Sequence, residues 1–285
     1  MSVEEINAED AHENKPALIK TQRVTRRNVE LCSFSYFSLV EPDGGVIDVK
    51  RSFVSERSNL LHIFLLRLVI LIWSTVSIVV GAFNDNDEYF FLAYLSNWTA
   101  LVSLSYLSLT LWLTIRTTDC AQTISGYDPP SITVRVTWAL YSIAAPAELT
   151  IILLFWALDY DRSNDGPVTY CMVFEHGILS LIVLLDGNLV GRIPLRLKHF
   201  ITFQVYNLCY LAWTVIFANC DFGESPIYDV LDWNHDAKGA SLIVSIVLIL
   251  ICPFIFILCW WCSFPNRRLL YPTRNNEAVS SSDML

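Results

Sequence analysis

The sequence is poor in charged residues, and long stretches of the chain carry almost none. Only 16% of its 285 residues are Asp, Glu, Lys or Arg, whereas 54% are hydrophobic and the mean hydropathy is +0.44. Soluble domains carry about 25% charged residues. This deficit excludes an ordinary soluble domain and indicates a polytopic membrane protein.

From the sequence we expect no cleavable signal peptide, and it contains neither a paired metal motif nor an excess of basic residues. Residues 1–30 are polar and contain no apolar h-region. Cys259 and Cys262 form a lone C-x-x-C motif, which without a second pair is weak evidence for zinc. The formal net charge of −9 does not favour nucleic acid as a partner. We therefore expect no metal, no cofactor and no nucleic-acid partner.

Six apolar runs are long enough to cross a bilayer, for which a helix needs about 20 residues. The predicted fold is all-α, a polytopic membrane bundle of six transmembrane helices within 59–263. A cytoplasmic segment, 1–58, is expected before it, its first part disordered, and a disordered cytoplasmic tail, 264–285, after it. The spans are predicted at about 60–83, 89–115, 133–158, 168–190, 199–219 and 240–262.

Basic residues near the span ends predict the orientation of the bundle. With a cytoplasmic N-terminus, eleven Lys and Arg residues lie on the inner side, and only Arg162 and Lys238 lie on the outer side. Both termini are therefore expected in the cytoplasm of a plasma-membrane or endomembrane protein. The outer loops are acidic and are candidate contacts for a protein partner. The inner basic residues are Lys50, Arg51, Arg57, Arg116, Arg135, Arg192, Arg196, Lys198, Arg267, Arg268 and Arg274.

Ionisable side chains inside the spans are costly to bury and are therefore functional candidates. Arg67 can extend to the cytoplasmic headgroups or pair with Glu148 across the bundle. Glu148 can alternatively line a polar cavity. Asp186 lies near the inner end of the fourth span, where an ion pair with Arg192 or Arg196 is expected.

The octet YLSNWTAL at 94–101 places an N-x-T sequon in an apolar span, where glycosylation of Asn97 is not expected. Ser96 and His176 lie about seven and eight residues below the outer starts of their spans, roughly 10–12 Å deep. A hydroxyl and an imidazole at matching depth can form a nucleophile and its base if their helices are neighbours. Alternatively, Ser96, Asn97 and Thr99 only hydrogen-bond across helices.

Six segments in fixed order resemble the rolling stone-like membrane proteins and, more distantly, the androgen-induced membrane hydrolase family. The resemblance covers roughly residues 55–265 and omits both tails. The segments are YLSNW at 94–98, LLFWALDYD at 153–161, EHGILSLIVLLD at 175–186, GRIPLRLKHF at 191–200, YNLCYLAW at 206–213 and PIYDVLDW at 226–233.

The hydrolase resemblance implies an intramembrane site in which a threonine and a histidine cleave fatty acid esters of hydroxy fatty acids. Their histidine corresponds to His176, and their threonine corresponds to Ser96, where the hydroxyl is retained. Thr99 is the reserve nucleophile. Candidate binding residues are Asn97, Glu148 and Arg67.

The rolling stone resemblance implies an alternative function without catalysis. On this hypothesis the polar residues hold helices together, and the protein acts in cell–cell adhesion or fusion. Tyr228 and Trp233 in the outer loop would then contact a protein partner. Membrane lipids are expected partners under both hypotheses.

Overall fold

The computed structural model describes residues 52–54, 60–84, 88–116, 131–160, 167–220 and 226–263. Six of its helices are long and apolar enough to span a membrane, and the described residues contain no strand, which confirms the predicted fold class. The predicted disordered parts, the first part of 1–58 and the tail 264–285, lie outside the described residues. The helices are α1 (Leu60–Asn84), α2 (Leu95–Ile115), α3 (Ile132–Leu158), α4 (Tyr170–Val190), α5 (Leu197–Asn219) and α6 (Ala237–Cys262).

Helix α3 lies at the centre of the bundle and packs against α2, α4, α5 and α6. It is the most buried span, with 56% of its most apolar stretch inside the protein. Ala144, Ala145 and Ala147 are at most 3% exposed, and their small side chains allow neighbouring helices to approach closely. Helix α1 packs on α2 and α4 at the edge of the bundle.

The bundle has two chemically different ends. The loops 84–88, 159–165 and 220–236 are acidic, and we call the end to which they belong the acidic end. The opposite end is called the basic end, because among the described residues it carries Arg116, Arg135, Arg192, Arg196 and Lys198. The cytoplasmic location of the basic end stays a prediction from these charges.

Four π-turns interrupt the spans, one in α3, two in α4 and one in α6. Such turns insert an extra residue into a helix and occur frequently at functional sites. They are Phe155–Asp159, Phe174–Ile178, Asp186–Val190 and Val247–Ile251.

A buried ion pair joins α1 to α4 near the basic end. The Nε atom of Arg67 donates to Oδ1 of Asp186 at 2.8 Å, and the hydroxyl of Tyr106 on α2 donates to Oδ2 at 2.7 Å. The side chains of Arg67 and Asp186 are each 1% exposed. The expectation that Arg67 extends to the headgroups or pairs with Glu148 was therefore wrong, because Asp186 compensates its charge inside the bundle.

The other donors of Arg67 bind the short segment 52–54 and α2. Its Nη1 atom donates to the carbonyl oxygen of Phe53 at 2.9 Å, to that of Thr110 at 3.1 Å and to the hydroxyl of Thr114 at 2.8 Å. A Cβ atom at Gly191 would lie 3.2 Å from Nη2, so this glycine leaves room for the guanidinium. One charged side chain thus ties four parts of the chain together.

The expected pairing of Asp186 with Arg192 or Arg196 was also wrong. The guanidinium of Arg196 lies 4.8 Å from the ring centroid of Trp138, a cation–π contact on α3. Trp138 in turn donates its Nε1 proton to the carbonyl oxygen of Pro194 at 2.8 Å. Arg192 has a φ of 51°, so the chain turns sharply directly after α4. This turn directs Arg196 to Trp138 and leaves Arg67 as the ion-pair partner of Asp186.

We expect Asp186→Asn to lower the free energy of unfolding by about 3–5 kcal/mol, because it leaves the Arg67 charge buried without its counter-ion. Unfolding by denaturant in micelles would measure the loss. Asp229→Asn makes the same chemical change at an exposed position and is the matched control. An Asp186→Asn protein as stable as this control would contradict the structural role of the ion pair.

Candidate functional site

A cavity of about 620 Å³ opens at the acidic end, and all six helices contribute to its wall. Its volume lies within the range of roughly 300–1,000 Å³ of small-molecule sites, and most of its lining is apolar, as in such sites. Two π-turns of the neighbouring helices α3 and α4 border it, as does the π-turn of α6. Polar side chains in its lining include Ser96, Asn97, Glu175, His176 and Asn207.

Ser96 lines this cavity from the first turn of α2. The predicted start of the second span, at 89, differs from the structure because Glu88–Ala93 forms a separate 3₁₀ helix and α2 begins at Leu95. Ser96 is therefore the second residue of its helix and not about two turns deep. The Leu95 N–H donates to the Tyr228 hydroxyl at 3.1 Å. The N–H groups of Ser96 and Asn97 follow it in the first turn, where no intrahelical acceptor exists.

His176 lines the same cavity from the π-turn of α4. Its backbone departs from helical geometry, with φ −105° and ψ 23°. The imidazole stacks on the ring of Phe155, with centroids 3.6 Å apart and planes 13° apart. The Nδ1 atom is buried and has no hydrogen-bond partner. The cavity thus collects Ser96 and His176, although no hydrogen bond joins the two side chains in the described structure.

Asn97 and Thr99 have other partners. The side-chain amide of Asn97 donates to the carbonyl oxygen of Phe91 at 2.8 Å, and Asn97 is only 8% exposed. A buried asparagine inside the bundle is a poor glycosylation acceptor. The hydroxyl of Thr99 is fully buried and lies 2.7 Å from that of Tyr206 on α5. Thr99, the reserve nucleophile, does not belong to the cavity lining.

Glu148 lies in a polar layer deeper than the cavity. Its Oε1 atom accepts a hydrogen bond from the Ser103 hydroxyl at 2.6 Å, and the residue is 1% exposed. Glu148 does not pair with Arg67 and does not line this cavity. The two roles expected for it, ion-pair partner of Arg67 and lining residue of a polar cavity, were therefore wrong for this cavity. Arg67 likewise lies at the other end of the bundle. Of the three predicted binding residues, only Asn97 contacts the cavity.

The sequence places Glu175 inside the fourth span, but sequence reasoning discounted it as an orienter of His176. Regular helical geometry turns adjacent residues about 100° apart, so Glu175 was not expected beside His176. The π-turn alters this geometry, and both side chains line the cavity. A Cβ atom at Gly81 would collide with the Glu175 carboxylate, so the glycine allows Glu175 to approach α1. Gly81, a glycine within an apolar run, was the feature of the sequence that indicated a close approach of another helix to α1.

The segment after α5 closes one side of the cavity. Tyr228, Val230 and Leu231 belong to the lining, and Trp233 donates to the Thr214 hydroxyl at 3.3 Å. The backbone N–H of His235 donates to the Asp232 carboxylate and holds its pKa below the usual value for aspartate. Tyr228 and Trp233 both contact the bundle, and their contact with a protein partner stays a prediction.

Comparison with known proteins places this architecture in a family. The family described as protein rolling stone matches residues 49–270, which is more than half of the chain. The chain belongs to the rolling stone family. Protein rolling stone of Drosophila melanogaster is 26% identical over 180 residues, a match that covers 59% of this chain and 65% of the relative. No solved structure gives a significant match.

The cavity predicts different reactivities for two engineered thiols in this rolling stone family protein. Ser96→Cys is expected to react with a small methanethiosulfonate at least roughly tenfold faster than Thr99→Cys, because buried thiols are inert. Peptide mapping by mass spectrometry would separate both sites from the native cysteines, and Cys171→Ser removes the native thiol in the cavity wall. Equal reaction rates would contradict the placement of Ser96 in the lining and Thr99 outside it.

Proposed function

We propose that this rolling stone family protein is an intramembrane hydrolase of lipid esters. Ser96 is the nucleophile and His176 is the general base. One observation carries the proposal: both residues line the same cavity, and the buried Nδ1 atom of His176 has no hydrogen-bond partner. In the tautomer protonated on Nε2, this nitrogen is able to accept a proton from a hydroxyl.

The reaction follows the usual course of acyl transfer through a serine. An imidazole nitrogen of His176 accepts the Ser96 proton while the Ser96 oxygen bonds to the ester carbonyl carbon. The C–O bond to the leaving alcohol then breaks, and the alcohol oxygen takes the proton from His176. A water molecule then gives a proton to His176 while its oxygen bonds to the acyl carbon. The bond from this carbon to the Ser96 oxygen breaks, the Ser96 oxygen takes the proton back from His176, and the carboxylic acid leaves. Catalytic hydrogen bonds often tighten only when substrate binds, which agrees with the absence of a Ser96–His176 bond here.

Backbone N–H groups in the first turn of α2 stabilise the negative charge that develops on the ester carbonyl oxygen during the reaction. The N–H groups of Ser96 and Asn97 lie at a helix N-terminus, which favours anions. Backbone donors of this kind stabilise tetrahedral intermediates. The side-chain amide of Asn97 donates one of its two N–H groups to the carbonyl oxygen of Phe91.

The place of the cavity favours a lipid as substrate. Ser96 lies in the first turn of a helix long and apolar enough to span a membrane, so a lipid is able to reach the cavity from the end of this span. The lining is mostly apolar and suits an acyl chain. Fatty acid esters of hydroxy fatty acids, the class implied by the resemblance to the hydrolases, are the first substrates to test.

The proposal also places both chain termini in the cytoplasm and the cavity at the outer face of a plasma membrane or endomembrane, because of the basic residues at the opposite end. Epitope tags at either terminus are expected to be resistant to protease in sealed, right-side-out vesicles. Cleavage of the tags without detergent would contradict this orientation.

We expect Ser96→Ala and His176→Gln to reduce lipid-ester hydrolysis by roughly a thousandfold or more, because each removes a group that reacts directly. Turnover is measured with purified protein in nanodiscs, beside labelling by a fluorophosphonate probe. Ser105→Ala and His62→Gln are matched controls, since both residues are exposed on the helix surface and lie outside the cavity. Both controls are expected to hydrolyse the ester at the wild-type rate.

A well-folded wild-type protein that neither hydrolyses these esters nor reacts with the probe would overturn the hydrolase proposal. The non-catalytic role in adhesion or fusion would then be the remaining hypothesis.

A further inference from the structure

Two π-turns meet beside the cavity, and His176 lies where they touch. One turn, Phe155–Asp159, ends α3, and the other, Phe174–Ile178, belongs to α4. Two consecutive residues of α3 contact His176 in different ways. Phe155 stacks on its ring, and Trp156 binds its backbone.

We propose that Phe155 and Trp156 are positioning residues that fix His176 for its reaction with Ser96. The catalytic part of this inference rests on the proposed hydrolase function. The placement of the imidazole by α3 is a separate structural statement, which is testable in a protein without activity.

Trp156 holds the backbone of His176 in its irregular conformation. With φ −105° and ψ 23°, His176 departs from regular helical geometry. The Nε1 atom of Trp156 donates to the His176 carbonyl oxygen at 3.0 Å. A donor from a neighbouring helix therefore stabilises the kink at the residue that carries the base.

Phe155 sets the plane of the imidazole. The two rings are nearly parallel, 3.6 Å apart at their centroids, so the imidazole cannot rotate without losing this contact. The ring nitrogens lie on the edge of a stacked imidazole. Stacking on Phe155 therefore occupies one face of the ring and leaves its edge, which carries both nitrogens, free of this contact.

A tryptophan near the end of a span is commonly an interfacial anchor, and Trp156 is 38% exposed. An anchor directs its indole N–H to water or headgroups, whereas Trp156 directs it to His176. Trp112 on α2 offers a comparison. It is 45% exposed, and its ring contacts the guanidinium of Arg116 near the basic end, far from the cavity.

The test uses the full-length protein in nanodiscs with ¹³C-labelled histidine, whose five residues give a simple spectrum. The signal that disappears in His176→Gln identifies His176. Trp156→Phe is expected to move the His176 ring signals and to lower kcat roughly ten- to hundredfold, with KM changed by less than about twofold. Phe155→Leu is expected to remove the ring-current shift of His176. Trp112→Phe is the matched control and is expected to change neither the signals nor kcat.

The outcomes separate this inference from the proposed function. If Trp156→Phe and Phe155→Leu keep the wild-type His176 signals and kcat while Ser96→Ala is inactive, the positioning role is overturned and the hydrolase stands. If wild-type protein has no activity but both variants move the His176 signals, the hydrolase is overturned and the positioning stands. If Trp156→Phe does not fold, Phe155→Leu, which keeps the indole, decides the question.

Discussion

The bundle depends on the rule that hydrocarbon offers no hydrogen bonds, so buried polar groups must find partners within the protein. The cost of an unpaired group is greatest for Arg67 and Asp186, because both side chains are charged and nearly fully buried. Each charge requires the other, and the remaining donors of Arg67 require the backbone at Phe53 and Thr110. These hydrogen bonds hold α1, α2 and α4 in one arrangement at the basic end. The same three helices extend to the acidic end, where they contribute to the cavity wall.

At the acidic end, the groups that need hydrogen-bond partners are backbone carbonyls of the π-turns. Irregular backbone is tolerated at membrane depth where it is buried in protein or lines a cavity, and the π-turns that border the cavity satisfy this condition. Side chains of other helices bind the carbonyl groups there: Trp156 donates to His176, and Gln204 donates to Leu248 in the π-turn of α6 at 2.9 Å. The π-turns at His176 and Leu248 are therefore each stabilised by a hydrogen bond from a side chain of another helix. Such external support is what allows a helix to present a side chain in a direction that regular geometry forbids.

The number and approximate limits of the spans were predictable because apolar run length is a property of the sequence itself. Ion-pair partners were not, because hydropathy gives the depth of a residue and not the side of the helix that it occupies. Asp186 has arginines close by in sequence, yet its partner lies 119 residues away. Ser96 and His176 were recognised as chemically capable, but the depth of Ser96 was inferred from a helix start that the 3₁₀ helix Glu88–Ala93 displaces. The π-turns have no compositional signal, so Glu175 was not expected on the same side of α4 as His176.

The missing hydrogen-bond partner of the buried His176 Nδ1 atom connects the fold to the proposed chemistry. A buried polar atom without a partner costs about 1–3 kcal/mol, so a packed structure normally avoids one. Of the described residues that carry such an atom, His176 is the one that lines the cavity. Contacts with Phe155 and Trp156 hold it there, so the missing partner does not result from a loosely packed side chain. Under the proposed function, a hydroxyl that reached this nitrogen when substrate binds would donate the missing hydrogen bond, so substrate binding and activation of Ser96 would be coupled.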